Sequence, residues 1–205
     1  MSTEKYRTLL PMFAELRGER VVVRPYRESD AQDMFEAVGE SREHVRPWLP
    51  FADKHQTVEE TRDLLVHWIA KWLLREDFLV GVWGSTTGRY VGSSGLHPRK
   101  WEIGYFEIGY WLRATATGNG YMTEAVKLLT DYAFTHLAAR RVEIRCDERN
   151  ERSAAIPRRL GFVQEGRIRN NALNTKGELH TTLVFSLTPE DRVAAGSIRR
   201  DEGIH

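Results

Sequence analysis

The chain has 205 residues, 41% of them hydrophobic and 10% aromatic, which is enough apolar material for a sizeable core. Its 30 basic residues nearly balance its 29 acidic ones, so no electrostatic nucleic-acid surface is predicted. The single cysteine excludes an internal disulfide, and the segment before residue 20 shows neither a signal core nor a membrane span. We therefore expect a cytoplasmic protein without a membrane or nucleic-acid partner, with one domain over residues 1–187 and a polar tail over 188–205.

The predicted elements are strands and helices in a mixed order. β-Branched runs bounded by turn residues indicate strands, and apolar residues at helical spacing indicate helices. One helix start is especially clear, because Thr57 and Glu60 have the spacing of a capping box. In chain order we expect a strand over 19–26, a helix over 28–38, an irregular segment over 41–56, a helix over 57–74, strands over 77–83, 89–96 and 106–112, a helix over 121–137, a strand over 141–146, a helix over 153–160, and strands over 162–168 and 179–187.

A glycine-containing loop lies between the strand 106–112 and the helix 121–137. Gly118 and Gly120 let the backbone approach a ligand closely, and the N-terminus of the next helix offers free N–H groups and the positive end of its dipole. The same pattern also occurs in ordinary tight turns. The loop is therefore a candidate pyrophosphate site, and the sequence on either side of it must decide between such a site and an ordinary turn.

Two familiar phosphate motifs do not fit this loop. The dinucleotide fingerprint needs a third glycine where Thr123 stands, and the Walker motif needs Gly-Lys-Ser/Thr where Gly120 is followed by Tyr121 and Met122. The loop instead resembles the pyrophosphate loop of the GNAT superfamily of acyl-CoA N-acyltransferases, which reads Arg/Gln-x-x-Gly-x-Gly/Ala. Thr115 departs from that pattern, because the family prefers Arg or Gln at its position.

The resemblance extends in order along the chain, from about residue 18 to residue 187, and is most specific for the RimJ/RimL branch. That branch implies an α/β fold in which helices flank a mixed, mostly antiparallel central sheet, and a splayed pair of strands holds the cofactor. The segments that carry the resemblance are Val21–Pro25, Arg46–Pro50, Phe106–Leu112, Gly118–Ala125, Asp131–Phe134, Asn150–Ser153 and Arg159–Phe162.

The chemistry that the resemblance implies is transfer of an acetyl group from acetyl-CoA, as co-substrate and without a metal, to a primary amine by direct attack. Such a site needs a base, a donor to the developing oxyanion and a group that helps the thiolate leave. The oxyanion donor is expected to be a backbone N–H near Tyr110 or Trp111, and Arg113, Arg158 and Arg159 are candidates to pair with the CoA phosphates. The acetyl-CoA contacts implied by the family are Tyr110, Trp111, Leu112, Arg113, Thr117, Gly118, Asn119, Gly120, Tyr121, Met122, Thr123, Asn150, Ser153 and Arg159.

Glu107 is the predicted catalytic base. Strand alternation places it on the face opposite Phe106 and Ile108, and the family often directs an acidic side chain from this strand into the acceptor channel. A solvated strand carboxylate would give the same pattern. His97 is the alternative base, although a lone histidine is commonly a hydrogen-bonded surface residue.

The group that assists the thiolate is predicted to be Ser153. Many GNAT enzymes use a tyrosine four residues before the glycine of the Leu-Gly-Phe motif, but here that position is Pro157. In the RimJ/RimL branch, a serine at the position of Ser153 lies near the sulfur and Asn150 binds the pantetheine arm. Because its pKa is high, the Ser153 hydroxyl is expected to donate a hydrogen bond rather than act as a full acid. Asn150 and Ser153 could also simply cap a helix.

The acceptor is expected to contact Trp48 and Phe51 on a proline-bounded loop, together with His97 and Glu107. The branch resemblance alone favours a protein or peptide N-terminal amine. A small-molecule amine, such as a polyamine or an antibiotic, stays open as acceptor. A non-catalytic acyl-CoA-binding module is a further alternative, and the departures at Thr115 and Pro157 would favour it. Whether the protein forms a homodimer is also left open.

Overall fold

A computed structural model describes residues 7–49 and 56–193 of the chain. Phe51, one of the expected acceptor contacts, lies outside the described residues. The strands and helices that fall wholly within these ranges are β1 (Leu16–Arg17), β2 (Val21–Pro25), α1 (Ala31–Val45), α2 (Val58–Leu74), β3 (Phe78–Gly84), β4 (Tyr90–Lys100), β5 (Tyr105–Leu112), α3 (Tyr121–His136), β6 (Arg141–Asp147), α4 (Glu151–Arg159), β7 (Val163–Leu173) and β8 (Leu179–Leu187).

The eight strands of the described part form a single sheet in the order β1-β2-β3-β4-β5-β6-β8-β7. Neighbouring strands run antiparallel throughout, except that β5 and β6 are parallel. The prediction of a mixed, mostly antiparallel sheet flanked by helices is therefore confirmed. The one parallel junction lies inside the sheet, between a five-stranded and a three-stranded antiparallel part.

Two apolar clusters form the core, and strand alternation divides them. Phe106 and Ile108 of β5 belong to the cluster that contains Leu129 of α3, and both side chains are at most 1% exposed. Trp111 of the same strand belongs to the other cluster, which contains Met34 of α1. Because odd and even positions of a strand point to opposite faces, β5 presents one face to α3 and the other to α1.

Local signals explain the helix starts, and long-range packing explains where the boundaries differ from expectation. Thr57 and Glu60 form the predicted capping box at the start of α2. The expectation that 41–56 is irregular was wrong at its beginning, because α1 continues to Val45 and buries Ser41 and Val45 on the helix face that packs inward. β7 also extends to Leu173, past the expected end at 168, because it pairs with β8 although most of its side chains are exposed.

The start of the polar tail packs against α3. Residues 189–193 are helical, and the Asp191 carboxylate accepts hydrogen bonds from the backbone N–H and the hydroxyl of Thr188. The Arg192 guanidinium forms an ion pair with Asp131 at 2.9 Å and lies 4.9 Å from the ring centre of Phe134. No helix in residues 7–49 or 56–193 is both long and apolar enough to cross a membrane.

Candidate active site

The parallel strands β5 and β6 are paired over only three residues each. Tyr105 to Glu107 pair with Arg141 to Glu143, and beyond these pairs the strands diverge. A cavity of about 1770 Å³ opens between them and is lined by residues 107–112 of β5 and 145–147 of β6. The backbone of β5 in this stretch therefore faces the cavity instead of a neighbouring strand, and an extended ligand could pair with it as an added strand.

The glycine loop closes one end of the cavity. Gly118 and Gly120 have φ angles of 84° and 75°, in the left-handed region that favours glycine. A Cβ atom at Gly118 would meet no atom within 4 Å, so the loop surface is open to a ligand. Gly120 is the N-cap of α3 and provides no side chain to cap it, which leaves the first N–H groups of the helix for an anion.

The segment before the loop is anchored to α1. Glu40 accepts hydrogen bonds from the Arg113 guanidinium, through Nε at 2.7 Å and through Nη2, and from the Thr115 hydroxyl at 2.6 Å. These bonds, with those from Arg113 as the larger cause, hold the pKa of Glu40 below its ordinary value. The Ser41 hydroxyl accepts the backbone N–H of Ala114 at 2.9 Å. The expected phosphate contact of the Arg113 side chain does not fit this arrangement, because its buried guanidinium faces α1.

Other cations surround the loop. Arg159 donates to the Thr123 hydroxyl at 2.9 Å on the first turn of α3, and both residues line the cavity. Arg20 and Lys127 line the same end, and the Arg20 Cδ atom lies 3.9 Å from where a Cβ of Gly120 would stand. Sequence reasoning missed Arg20 and Lys127, because nothing local to either residue marks it as adjacent to the loop. Arg158, in contrast, pairs with Glu151 at 3.0 Å.

The turn between β1 and β2 is also tied to the loop helix. Glu124, in the first turn of α3, accepts the backbone N–H groups of Glu19 and Arg20 at 2.9 Å and 2.8 Å. A Cβ atom at Gly18 would lie 2.6 Å from the carboxyl carbon of Glu124, so only glycine fits there without movement. This contact fixes the position of Arg20 relative to the loop.

Ser153 lies across the cavity from the loop end, at the start of α4. The side-chain oxygen of Asn150 accepts the Ser153 backbone N–H at 3.1 Å, so Asn150 is the helix cap. Ser153 donates its hydroxyl to the Tyr110 hydroxyl at 3.3 Å, and Tyr110 donates to the Ser153 carbonyl at 3.0 Å. Burial raises the pKa of Tyr110, and burial likewise raises the pKa of the neighbouring Cys146 thiol to about 11.

Glu107 and His97 are direct cross-strand partners of β5 and β4. The Glu107 carboxylate is 20% exposed, lines the cavity and accepts a hydrogen bond from Arg99 Nε at 3.0 Å on Oε2. His97 Nδ1 lies 2.6 Å from an Asp77 oxygen, and its ring covers Gly109, with Nε2 3.5 Å from where a Cβ of that glycine would stand. His97 is not among the residues that line the cavity, although it shares the sheet face of Glu107.

The far end of the cavity is formed by the chain after α1 and by the β7–β8 hairpin. Trp48 is 36% exposed and lines the cavity beside Pro47. The Thr175 hydroxyl donates to the Pro47 carbonyl at 3.5 Å and joins the hairpin to this segment. Residues 171–175 line the cavity from the hairpin side.

A second histidine–carboxylate pair faces this end and was not predicted. His180 Nδ1 lies 3.3 Å from an Asp147 oxygen, and both residues line the cavity. Hydrogen bonds from Arg149 are the largest cause that holds the pKa of Asp147 below its ordinary value. His180 stands on β8 and Asp147 on β6, so only the register of the sheet brings them together.

The cavity gathers most of the site residues predicted from the sequence. Arg113 and Asn119 instead hold the loop from outside, Asn119 by donating to the Ala116 and Thr117 carbonyls. In the described ranges, no cluster of three or more His, Cys, Asp or Glu side chains is arranged to hold a metal ion. The predicted residues that line the cavity are Trp48, Glu107, Tyr110, Trp111, Leu112, Thr117, Gly118, Gly120, Tyr121, Met122, Thr123, Asn150, Ser153 and Arg159.

Comparison with known proteins identifies the family to which this architecture belongs. Residues 20–163 match the family model described as "Acetyltransferase (GNAT) domain". The chain is a GNAT acetyltransferase. It therefore transfers an acetyl group to an amine with acetyl-CoA as co-substrate, as the sequence motifs predicted.

Individual relatives of this GNAT acetyltransferase agree over nearly their whole length. The Bacillus subtilis protein named "Putative ribosomal N-acetyltransferase YdaF" is 30% identical over 178 residues, which cover 86% of this chain and 95% of the relative. A crystal structure of a protein called a probable acetyltransferase is 27% identical, with a TM-score of 0.79, and covers 88% of this chain and 99% of its own. The ribosomal L7/L12 α-N-protein acetyltransferase RimL, solved with coenzyme A, shares the fold with a TM-score of 0.76 at 22% identity and covers 83% of this chain and 95% of its own.

Proposed function

We propose that this GNAT enzyme acetylates the N-terminal amine of a protein or peptide by direct attack of the amine on acetyl-CoA. The observation that carries the proposal is one cavity that is lined both by the glycine loop and by Trp48 and the β7–β8 hairpin. The name of the 30% identical Bacillus subtilis relative, a ribosomal N-acetyltransferase, supports the same acceptor class. A cavity of about 1770 Å³ has room for the end of a peptide chain beside the cofactor.

The cofactor would bind with its pyrophosphate on the loop at Gly118 and Gly120 and its pantetheine arm along β5. The free N–H groups at the start of α3 and the side chains of Arg20 and Arg159 would neutralise the phosphates. In this pose the backbone N–H groups near Tyr110 would donate to the carbonyl oxygen of the acetyl group. That donation stabilises the oxyanion that develops when the amine attacks.

Glu107 is the proposed proton acceptor. It lies on the sheet face opposite the α3 cluster, and Arg99 binds its Oε2, so Oε1 is the oxygen available to the amine. The ammonium gives one proton to this carboxylate, directly or through water, and the free amine then attacks the thioester. Ser153, on the other side of the splayed strands, would donate a hydrogen bond to the sulfur as the carbon–sulfur bond breaks.

The proposal is tested with a matched set of acceptors. Thiol release from acetyl-CoA is measured with peptides that carry a free N-terminus, with the same peptides blocked at the N-terminus but carrying an internal lysine, and with spermidine and an aminoglycoside. We expect turnover with the free N-termini, with the acetyl group located on the α-amine by mass spectrometry. Faster turnover with a polyamine or antibiotic would overturn the acceptor assignment, and acetyl-CoA binding without any turnover would favour a non-catalytic module.

A further inference from the structure

Two hydroxyl groups lie together where the cavity meets the start of α4. Tyr110 reaches from β5 and makes two hydrogen bonds to one residue, accepting the Ser153 hydroxyl at 3.3 Å and donating to the Ser153 carbonyl at 3.0 Å. With the Asn150 cap on the Ser153 backbone N–H, three polar groups of Ser153 are held at once. The Ser153 hydroxyl is therefore fixed in position before any ligand binds.

Many GNAT enzymes are expected to have a tyrosine at one position of α4, but this chain has none there. Pro157 stands there, is buried in the helix, and has no group that could donate to sulfur. Tyr110 instead brings a phenol to the first turn of the same helix from the neighbouring strand. Both Tyr110 and Ser153 line the cavity between the splayed strands.

Cys146 shows what this environment does to a sulfur atom. It lies on β6, lines the cavity, and has a pKa raised to about 11 by burial. A sulfur anion is thus poorly solvated at this place, and the same desolvation applies to any thiolate released beside it. A leaving thiolate here needs a donor, and Ser153 provides a hydroxyl in the same cavity.

We infer that Tyr110 is a positioning residue for acetyl transfer, holding the Ser153 hydroxyl so that it can turn from the Tyr110 oxygen to the sulfur of the leaving coenzyme A. This inference rests on the proposed function and adds a side chain that acts through Ser153. The amine nitrogen forms its bond to the acetyl carbon, the carbon–sulfur bond breaks, and its electron pair stays on sulfur. The attacking nitrogen, whose first proton has already gone to Glu107, loses its second proton to water, and the thiolate, stabilised by Ser153, takes a proton from water.

The kinetic test compares three variants with a matched control. Tyr110→Phe should lower kcat about tenfold and Ser153→Ala about ten- to a hundredfold, with little change in the dissociation constant of acetyl-CoA. Because Tyr110 acts through Ser153, the double variant should be no slower than Ser153→Ala alone. The control is Tyr132→Phe, which removes a buried tyrosine hydroxyl that does not line the cavity. That hydroxyl donates to the Pro11 carbonyl at 3.3 Å, and its loss should leave kcat unchanged. Equal kcat values for Tyr110→Phe and Tyr132→Phe, or fully multiplicative losses, would overturn the inference.

A second test probes the contact between the Tyr110 and Ser153 hydroxyl groups without requiring turnover. Cys146 is the only cysteine in the chain, so the pH dependence of alkylation by iodoacetamide reports its thiolate alone. In the free enzyme the Ser153 hydroxyl donates to the Tyr110 oxygen, so Tyr110→Phe should free it to donate to the Cys146 sulfur and should speed alkylation about three- to tenfold at a given pH. Adding Ser153→Ala should abolish that gain. Alkylation of Tyr110→Phe no faster than that of the wild type would mean that Tyr110 does not hold the hydroxyl and would refute the inference. If the wild type acetylates no amine, the proposed function fails. The alkylation result still decides whether Tyr110 holds the Ser153 hydroxyl.

Discussion

Replacing Glu40 with glutamine should loosen the cofactor loop from α1. Glu40 holds the Arg113 guanidinium through two nitrogens and Thr115 through its hydroxyl, and the Arg113 side chain is only 11% exposed. Breaking a fully buried ion pair costs about 3–5 kcal/mol. Glu40 itself is 30% exposed and glutamine keeps one acceptor oxygen, so we expect a loss of about 2 kcal/mol. For a chain of this length the change lowers Tm by about 4–8 °C.

The assay combines thermal unfolding with steady-state kinetics. We expect the KM for acetyl-CoA to rise several-fold, while kcat at saturation stays close to that of the wild type, because the perturbation reaches the loop and not the reacting atoms. Glu36→Gln is the matched control, since Glu36 lies one turn earlier on α1 and bonds only the exposed Gln32 in the described structure. If Glu40→Gln behaves like Glu36→Gln in both measurements, the anchoring argument is wrong.

The pH dependence of this stability difference gives an independent check. Hydrogen bonds from Arg113, and then from Thr115, hold the pKa of Glu40 below its ordinary value of 4.5 in the folded protein. A carboxyl group with a depressed folded pKa stabilises the fold above its unfolded pKa and loses that contribution as the pH falls through the folded pKa. The difference in unfolding free energy between wild type and Glu40→Gln should therefore be full near neutral pH and shrink below pH 4.5. A difference independent of pH would contradict the role of the ionised carboxylate.

Three further substitutions test the remaining parts of the site. Gly120→Val should weaken acetyl-CoA binding sharply in calorimetry with the fold retained in circular dichroism, because a side chain would strain a φ of 75° and obstruct the loop; unchanged affinity would remove the loop from the cofactor site. Glu107→Gln should lower kcat about a hundredfold or more, with partial recovery at high pH, and a rate near that of the wild type at every pH would transfer the role to His97, His180 or solvent. Trp48→Ala should raise the KM of the acceptor while acetyl-CoA binding is kept, whereas an unfolded variant would show that Trp48 is structural.

The sequence predicted those features that depend on neighbouring residues. The capping box at Thr57 and the cap at Asn150 are local hydrogen bonds between residues three apart, and both are present. The positive φ angles of Gly118 and Gly120 are likewise local, because only glycine adopts them at little cost. Family motifs added the sheet and the splayed strands, which no single segment determines.

The contacts that escaped prediction join residues distant in sequence. The Arg113 side chain was expected at the phosphates, but its partner Glu40 is 73 residues away and is placed only when α1 packs beside the loop. The His180–Asp147 pair depends on the register of β6 and β8, and strand alternation alone cannot identify the partner of a polar residue. Tyr110 was expected to contribute its backbone, and the reach of its phenol to α4 depends on the angle between strand and helix.

The parallel junction between β5 and β6 has a consequence for how the sheet moves. Each side of it is a set of antiparallel strands, and only three residue pairs connect the two sides. Parallel pairs are slightly less stable per residue than antiparallel ones, so this short seam should open more readily than the ladders on either side. A pantetheine arm bound between β5 and β6 would connect the two strands across this junction. Amide hydrogen exchange should then slow on both strands when coenzyme A binds, and the two halves of the sheet should become one mechanical unit only in the loaded enzyme.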